Sequence, residues 1–334
     1  MNSLRFLVTL IAAIMGSTVA GAQTVKFGAL GIDADGPVYI AVDKGYFREA
    51  GIEVTLEHFN SAAQAMAPLS TDQIQVAGGA ASAGLFNAFA RGWPVRIVFD
   101  RTSDRPGFST DTLSVRSALH DVKTLEDLKG RKVAINAPNA GLEYMVGKML
   151  ESTGLTIRDV NVVYMPWPNM GPAFQTGAID AGALVEPFVT QYAESGVAVP
   201  FKRAADVITN PAFEIAVILY NDDWARQHPD QAKAFAIGYL RGARDYHDAM
   251  KGGPRRKDVV ATLMKYGRLK DPALYDKMQW GYADPNGKFD VDSLREQQEW
   301  HASHGSVPKT VDVNAMIDRQ YLDYALQKLG RVSE

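Results

Sequence analysis

The stretch TVKFGALGIDADGPVYIAVDKGYFREAGIEVTLEHF, residues 24–59, contains a complete strand–helix–strand unit. Residues 24–30 and 52–59 are rich in apolar and β-branched side chains and predict two strands. Pro37 lies where the first turn of a helix tolerates proline, and Gly51 ends the helix predicted between the strands. Two strands joined through a helix usually pair in parallel, so this unit predicts the start of an α/β sheet.

The same alternation continues to about residue 200. Further strands are predicted at 74–78, 95–99, 110–115, 132–135, 160–164, 179–184, 197–201 and 213–220. Helices are predicted between them at 61–69, 81–90, 141–152, 168–176 and 187–194. Residues 223–330 are predicted to be helical throughout. This order predicts an α/β protein with two lobes, each a mostly parallel sheet flanked by helices, followed by a helical C-terminal tail.

Two extended segments, 110–115 and 213–220, bracket the second α/β set. We interpret them as the two strands of a hinge, which makes the first lobe discontinuous. On this interpretation residues 23–109 and 215–334 form lobe 1, and residues 110–214 form lobe 2.

The N-terminus has the order of a secretory signal. Arg5 is the only charged residue among the first 25, an apolar run follows at 6–15, and the small residues at 20–22 suit a cleavage site. The run is too short to remain as a membrane span. We therefore predict that residues 1–22 are a cleaved signal peptide and that the mature protein is periplasmic.

Composition narrows the function further. The chain has no cysteine, so a lipoprotein anchor is not expected and stability must come from buried apolar surface rather than disulfides. Lysine and arginine number 35 against 38 aspartates and glutamates, for a net charge of −3. Apart from the short run 255–257 no basic stripe is present, and nucleic-acid binding is not expected.

Four predicted loops that lead from a strand into a helix carry small or hydrogen-bonding residues: 31–36, 60–62, 78–82 and 137–141. Helix starts present free backbone N–H groups and the positive end of the helix dipole, which suit polar or anionic ligand groups. In open α/β sheets, ligands bind beyond the carboxyl ends of the strands. Because the loops are divided between the two lobes, we predict a ligand cleft between them.

Three segments resemble one family of binding proteins. Residues 36–51 (GPVYIAVDKGYFREAG) resemble the opening helix of the NMT1/THI5-like family, which includes substrate-binding proteins for sulfonates, nitrate, taurine and thiamine pyrimidines. Residues 127–134 (DLKGRKVA) resemble the start of the family's second lobe. Residues 174–181 (FQTGAIDA), followed by EPF at 186–188, match a third block in order and spacing. The resemblance covers about residues 24–220.

The resemblance implies a type II-like periplasmic-binding-protein fold that closes on a small organic ligand. It implies delivery to the permease and ATPase complex of an ABC importer in the inner membrane, by a monomer without a cofactor. Family contacts and the residues themselves give twelve candidate ligand-binding residues: Asp33, Pro37, Tyr39, Ser61, Ala81, Ser82, Asn139, Ala140, Gly141, Trp167, Glu186 and Glu214.

Several of these residues have a second interpretation. Ser61 and Ser82 can donate to a ligand or cap their own helices. Glu186 can face the ligand or complement the dipole of the helix that follows. Glu214 can bind ligand or form a salt bridge at the hinge. Aromatic candidates such as Trp167 can wall an apolar ligand body or belong to the core.

Five acidic residues lie in or near the predicted cleft: Asp33, Asp35, Glu143, Glu186 and Glu214. The four loops contain no basic residue. Since an unpaired buried charge is costly, a bare small anion is poorly matched there unless Arg101 or Arg105 swings in from the inter-lobe stretch. The composition favours a neutral or nitrogen-containing organic ligand.

Two other functions stay open. An enzyme of pyrimidine-precursor biosynthesis can use this fold, but the cysteine-rich motif of those enzymes is absent, and residues 80–84 lack the first glycine of a nucleophile elbow. His301 and His304 have metal-compatible spacing without a matched third ligand, and we interpret them as surface histidines. We therefore predict no catalytic or metal-binding residues. A periplasmic sensor subunit would bind its ligand in the same way.

Overall fold

The computed structural model describes residues 23–209 and 212–333. The predicted signal peptide, residues 1–22, lies outside the described residues. The strands are β1 Gln23–Ala29, β2 Ile52–His58, β3 Val76–Ala80, β4 Val95–Asp104, β5 Asp111–Arg116, β6 Lys132–Ile135, β7 Asn161–Tyr164, β8 Ala181–Val185, β9 Ala198–Arg203 and β10 Phe213–Asn221.

These strands form two five-stranded sheets of the same design. The first has the order β2-β1-β3-β10-β4 and the second the order β7-β6-β8-β5-β9. In the first sheet β1 pairs in parallel with β2 and β3, while β10 is antiparallel to both β3 and β4. In the second sheet β6 pairs in parallel with β7 and β8, while β5 is antiparallel to β8 and β9. In each sheet four strands therefore run in one direction, and one strand, β10 or β5, runs against them. The predicted two-lobed α/β fold with mostly parallel sheets is confirmed in this sense.

The chain passes from the first sheet to the second between β4 and β5 and returns between β9 and β10. The two strands predicted to form the hinge, 110–115 and 213–220, correspond to β5 and β10. The prediction for β4 was too short, since the strand continues through Asp104 instead of ending at Phe99. The polar run after Phe99 stays extended because it pairs with β10, from Phe213↔Asp104 to Ile218↔Phe99.

The α-helices lie around the sheets and in the tail. They are α1 Gly36–Asp43, α2 Tyr46–Glu49, α3 Ala62–Ser70, α4 Ala83–Ala90, α5 Gly141–Glu151, α6 Trp167–Thr176, α7 Phe188–Glu194, α8 Asp222–Gln227, α9 Pro229–Met250, α10 Arg256–Tyr266, α11 Pro272–Lys277, α12 Val291–Ser303 and α13 Gln320–Leu329.

Local sequence explains how several helices begin, end and pack. The helix predicted as continuous from 38 to 48 is divided into α1 and α2, because Gly45 adopts a left-handed conformation with φ 75°. The apolar stripe of α5 is confirmed as a core face. Its residues Leu142, Met145, Val146, Met149 and Leu150 are all buried.

The helical tail contacts both lobes. Helix α9 packs against α1 of the first lobe, where Gly242 lies against the Pro37 carbonyl. Trp300 of α12 belongs instead to the hydrophobic core of the second lobe, where its ring meets Tyr144 at 5.7 Å between centroids. The Trp300 indole N–H also donates to Glu151 of α5 at 2.7 Å. The tail therefore bridges the two sheets.

Candidate functional site

A cavity of about 210 Å³ lies between the two sheets. All four strand-to-helix loops singled out in the sequence contribute to its wall, through residues such as Ile32, Ser61, Gly79 and Asn139. On a comparable measure one buried water needs about 10–15 Å³, so the space suits a small organic molecule rather than a single ion. Most of the wall is apolar, which is typical of ligand pockets.

Eight of the twelve candidate residues line this cavity. They are Asp33, Ser61, Ser82, Asn139, Ala140, Gly141, Trp167 and Glu186. The structure brings together residues that lie up to 153 positions apart in the sequence, from both lobes. That they bind a ligand stays a prediction.

The other four candidates lie outside the cavity wall. Pro37 and Ala81 are packed against backbone: the Pro37 carbonyl faces Gly242, and the Ala81 N–H donates to the Ile215 carbonyl at 3.4 Å. The fully buried Tyr39 donates its hydroxyl to Asp35 at 3.2 Å and stacks on Tyr266. Glu214 is also fully buried and accepts from the Asp290 N–H at 2.8 Å. The sequence placed these four residues near the site, but they do not line the cavity.

Ser61 and Ser82 cap their own helices, and both also lie in the cavity wall. Each hydroxyl oxygen accepts a backbone N–H at 3.4 Å, from Gln64 and Leu85 respectively, and so caps α3 or α4. Each serine also lines the cavity. Because the hydroxyl oxygen is the acceptor in a cap, its hydrogen is left to donate into the cavity.

Glu186 is held by its own helix. Its carboxylate accepts from the Thr190 N–H at 3.1 Å and the Thr190 hydroxyl at 2.9 Å, which caps the start of α7. A third bond comes from the Gln279 N–H of the tail at 3.3 Å. Both carboxylate oxygens are therefore occupied, although the residue lies in the cavity wall.

Arg101, which the sequence analysis placed in the cleft only conditionally, is a residue of the cavity wall. It lies in β4, is 1% exposed and lines the cavity without any movement. Its guanidinium pairs with Asp35 and donates through Nε to the Ala34 carbonyl at 3.2 Å. Gly78 of β3 leaves the necessary room, since a Cβ there would lie 2.4 Å from the guanidinium carbon. Arg105 instead lies over the Tyr282 ring at 4.1 Å and does not line the cavity.

Asp35 connects this arginine to the first loop. While one carboxylate oxygen meets Arg101, the other accepts backbone N–H groups from Leu30, Gly31 and Ile32 at 2.9, 2.7 and 3.2 Å. The loop that lines one side of the cavity is thus fixed around a buried ion pair. Asp35 and the glycine pair at 78–79 are visible in the sequence. No local pattern, however, indicates that they contact Arg101.

Burial changes the acidity of the cavity carboxyls. It raises the pKa of Asp33 and of Glu186 to about 7, and it raises the pKa of Asp111 well above the ordinary range. The nearby carboxylate of Asp104 adds to the shift at Asp111. Asp33 and Glu186 therefore titrate near neutral pH.

A second group of carboxyls lies at the hinge. Asp100 of β4 and Glu214 of β10 form a pair of neighbouring carboxyls, in which the charge of Asp100 raises the pKa of Glu214. Burial raises the pKa of Asp100 and of Asp104 to about 7 and that of Glu214 well above its ordinary value. No salt bridge of Glu214 is found within residues 23–209 and 212–333, so the hinge salt bridge considered for it is replaced by an acid pair.

These six raised carboxyl pKa values predict a pH dependence of stability. A carboxyl whose pKa is higher in the folded state than the usual value of about 4 binds its proton more tightly when folded. For the four carboxyls whose pKa is raised to about 7, the stabilising contribution is complete below about pH 4 and is lost as the pH rises through about 7. The buried His301, whose pKa burial lowers to about 4, contributes in the opposite direction.

We expect the free energy of unfolding to fall from about pH 5.5 to about pH 8, by up to about 1.4 kcal/mol per pH unit for each carboxyl that titrates. Urea denaturation at the two pH values measures this. Glu214→Gln should reduce the slope because it removes one member of the acid pair. Equal or greater stability at the higher pH would contradict the prediction.

Direct contacts join the two lobes around the cavity. The Asp33 N–H donates to the Glu186 carbonyl and the Ala83 N–H donates to the Asn139 carbonyl, both at 3.2 Å. Each bond connects a cavity-lining loop of the first lobe with one of the second. The described arrangement is therefore a closed one.

The interpretation of His301 as a surface histidine is wrong. The side chain is fully buried, with Nδ1 3.2 Å from the Ser306 hydroxyl and its ring beside Phe86. The apolar surroundings supplied by α4 were not visible from the local sequence. In the part of the chain that the structure describes, no group of three or more histidine, cysteine, aspartate or glutamate side chains is arranged to hold a metal ion.

Comparison with known proteins gives consistent results. The family model described as NMT1/THI5 like matches residues 35–249. A Bacillus subtilis (strain 168) protein that carries the name of an aliphatic sulfonates-binding protein is 22% identical over 307 residues, which cover 87% of this chain and 85% of that protein. A 4-amino-5-hydroxymethyl-2-methylpyrimidine phosphate synthase from Uromyces fabae is 25% identical, over 66% of this chain and 64% of the enzyme.

Among solved structures, the alkanesulfonate-binding protein SsuA from Xanthomonas axonopodis pv. citri, bound to MOPS, superimposes with a TM-score of 0.72. The superposition covers 89% of this chain and 98% of that one, at 19% sequence identity. At this identity the likeness concerns the fold alone. It agrees with the two-sheet architecture described above.

Proposed function

Because the chain belongs to the NMT1/THI5-like family, we propose that it is the solute-binding subunit of an ABC importer, which captures a small organic molecule between its two lobes. The observation that carries this proposal is the closed interlobe cavity, whose wall combines strand-to-helix loops of both sheets. A ligand in this space would contact both lobes only in the closed state. Its binding would therefore shift the equilibrium between open and closed forms towards closure.

The partners and the location follow from the same proposal. A permease and ATPase complex in the inner membrane would receive the closed, loaded protein, which would act in the periplasm after removal of residues 1–22. The names of the sulfonate-binding relative and neighbour support this role. Across the described residues, no helix combines the length and the apolar character needed to cross a membrane.

An enzyme is the second candidate, because one relative is named as a pyrimidine phosphate synthase. The absence of cysteine from the chain argues against any mechanism that requires a thiol. Recovery of the bound molecule decides between the two functions. A binding protein releases its ligand chemically unchanged after prolonged incubation, whereas an enzyme returns a product that mass spectrometry can identify.

Binding is tested by calorimetric titration with alkanesulfonates, small carboxylates and pyrimidines. We expect saturable binding of one molecule per chain for at least one class. Ser82→Ala should weaken that binding by up to about tenfold, because it removes one hydroxyl donor worth about 0.5–1.5 kcal/mol from the cavity wall.

The matched control is Ser195→Ala, at an exposed serine beyond the end of α7. It should leave the affinity unchanged. Equal affinities of the Ser82→Ala and wild-type proteins would remove Ser82 from the site. The absence of binding by every class would count against the proposed function.

A further inference from the structure

The cavity wall contains buried polar atoms that no other described residue satisfies. Six side-chain atoms of lining residues have no hydrogen-bond partner within the described chain. They are Asp33 Oδ1, Arg101 Nη1, Thr102 Oγ1, Asp111 Oδ2, Asn136 Oδ1 and Trp167 Nε1. A buried polar atom without a partner costs about 1–3 kcal/mol, so a ligand that satisfies these atoms gains affinity.

The cavity wall carries more acidic than basic side chains. Its charged residues are one guanidinium, Arg101, and the carboxyls of Asp33, Asp111 and Glu186. Arg101 is already paired with Asp35, which is itself fully buried, so the cavity has no unmatched positive side chain. A ligand whose only polar group is an anion would therefore lie beside carboxyls and find no unpaired cation to bind.

Two carboxyls are available to a ligand and one is not. Both oxygens of Glu186 are occupied by Thr190 and Gln279. Asp111 is 1% exposed and accepts only from the Thr110 hydroxyl, at 3.4 Å and through Oδ1. Asp33 is 6% exposed and accepts the Tyr246 hydroxyl through Oδ2. The remaining oxygens, Asp33 Oδ1 and Asp111 Oδ2, have no partner with hydrogen-bond geometry among the described residues, and they accept hydrogen bonds when the carboxyls are ionised.

Resting on the proposed function, we propose that the ligand carries a basic, hydrogen-bond-donating nitrogen for the carboxyls of Asp33 and Asp111, together with an acceptor group for Arg101. A positively charged nitrogen beside these carboxyls favours their ionised form, in which the free oxygens accept its hydrogen bonds and the two charges compensate each other. Hydrogen bonds between charged partners are about twice as strong as neutral ones, which favours an amine over an alcohol of the same shape. The acceptor group meets the free Nη1 of Arg101.

The experiment compares matched compounds by calorimetry at neutral pH. The pairs are 3-aminopropanesulfonate with propanesulfonate, and an aminomethylpyrimidine with the corresponding hydroxymethylpyrimidine. We expect the amine of each pair that binds to have at least about tenfold higher affinity than its partner. Asp111→Asn should reduce this preference, while Asp121→Asn, at an exposed carboxyl outside the cavity wall, should leave it unchanged.

The outcomes separate this inference from the proposed function. If propanesulfonate or the hydroxymethyl compound binds as tightly as its amine partner, the nitrogen-bearing ligand is excluded and the binding function stands. If neither amine binds but another probe does, the nitrogen-bearing ligand is likewise excluded and the binding function stands. If none of the compounds binds, the inference fails, and the wider titrations above judge the binding function. The wild-type preference remains decisive even if Asp111→Asn does not fold.

Discussion

Replacement of Asp35 by asparagine should lower the free energy of unfolding by about 3–5 kcal/mol, the usual effect of breaking a buried ion pair. The Arg101 and Asp35 side chains are 1% and 0% exposed, so the arginine would lose its paired counter-charge at a position that bulk solvent hardly reaches. The amide would also turn a donor towards the guanidinium or towards the N–H groups of residues 30–32. Urea denaturation of the two proteins at one pH measures the difference.

The matched control is Asp121→Asn. Asp121 pairs with Arg131, but its side chain is 63% exposed, and water can replace the lost interaction. We expect a change within about 1 kcal/mol, as for exposed ion pairs in general. Similar losses in both variants would contradict the description of Arg101 and Asp35 as an ion pair whose effect on stability comes from its burial.

Gly242→Ala should be the second strongly destabilising change. A Cβ at this position of α9 would lie 2.0 Å from the Pro37 carbonyl oxygen and 3.2 Å from the Ala41 Cβ, both in α1. Since the first of these contacts is with backbone, relief requires the helices to separate. Forcing an extra carbon into a packed core typically costs about 1–3 kcal/mol and occasionally more. The displacement of α1 should also disturb the cavity loop that precedes it.

Gly84→Ala provides the comparison, because Gly84 is also helical. The atom nearest to a Cβ added there would be the Ser82 hydroxyl oxygen, at 3.6 Å. Alanine there should leave the stability unchanged or raise it by about 0.5–1 kcal/mol through its higher helix propensity. Thermal or urea unfolding of both variants tests the contrast. A Gly242→Ala protein as stable as wild type would mean that α1 and α9 are not closely packed.

The sequence was sufficient for the architecture because the fold depends on local periodicity. Apolar runs, helix starts and glycine stops predicted both sheets and the two strands of the hinge. The same local signals placed the four loops of the cavity, since each loop directly follows a predicted strand. Where the prediction failed, as at the end of β4, tertiary pairing overrode local composition: the polar run 100–104 is extended because β10 lies beside it.

The chemistry of the site depended on contacts that have no local signature. Arg101 reaches the cavity because Gly78 leaves room for it and Asp35, 66 positions earlier, neutralises it. Neither relation can be read from spacing. The acid pair of Asp100 and Glu214 likewise joins residues of different strands. The acidic bias of the cleft was visible in the sequence, but which oxygens are free to receive a ligand was not.

The most direct test of the account is native mass spectrometry of the mature protein after incubation with a periplasmic extract. Wild type should carry one small organic molecule per chain. Ala62→Phe, which places a ring in the cavity wall at the start of α3, should carry much less of it. A wild-type protein without added mass, or the same added mass at equal occupancy on both proteins, would contradict ligand binding between the lobes.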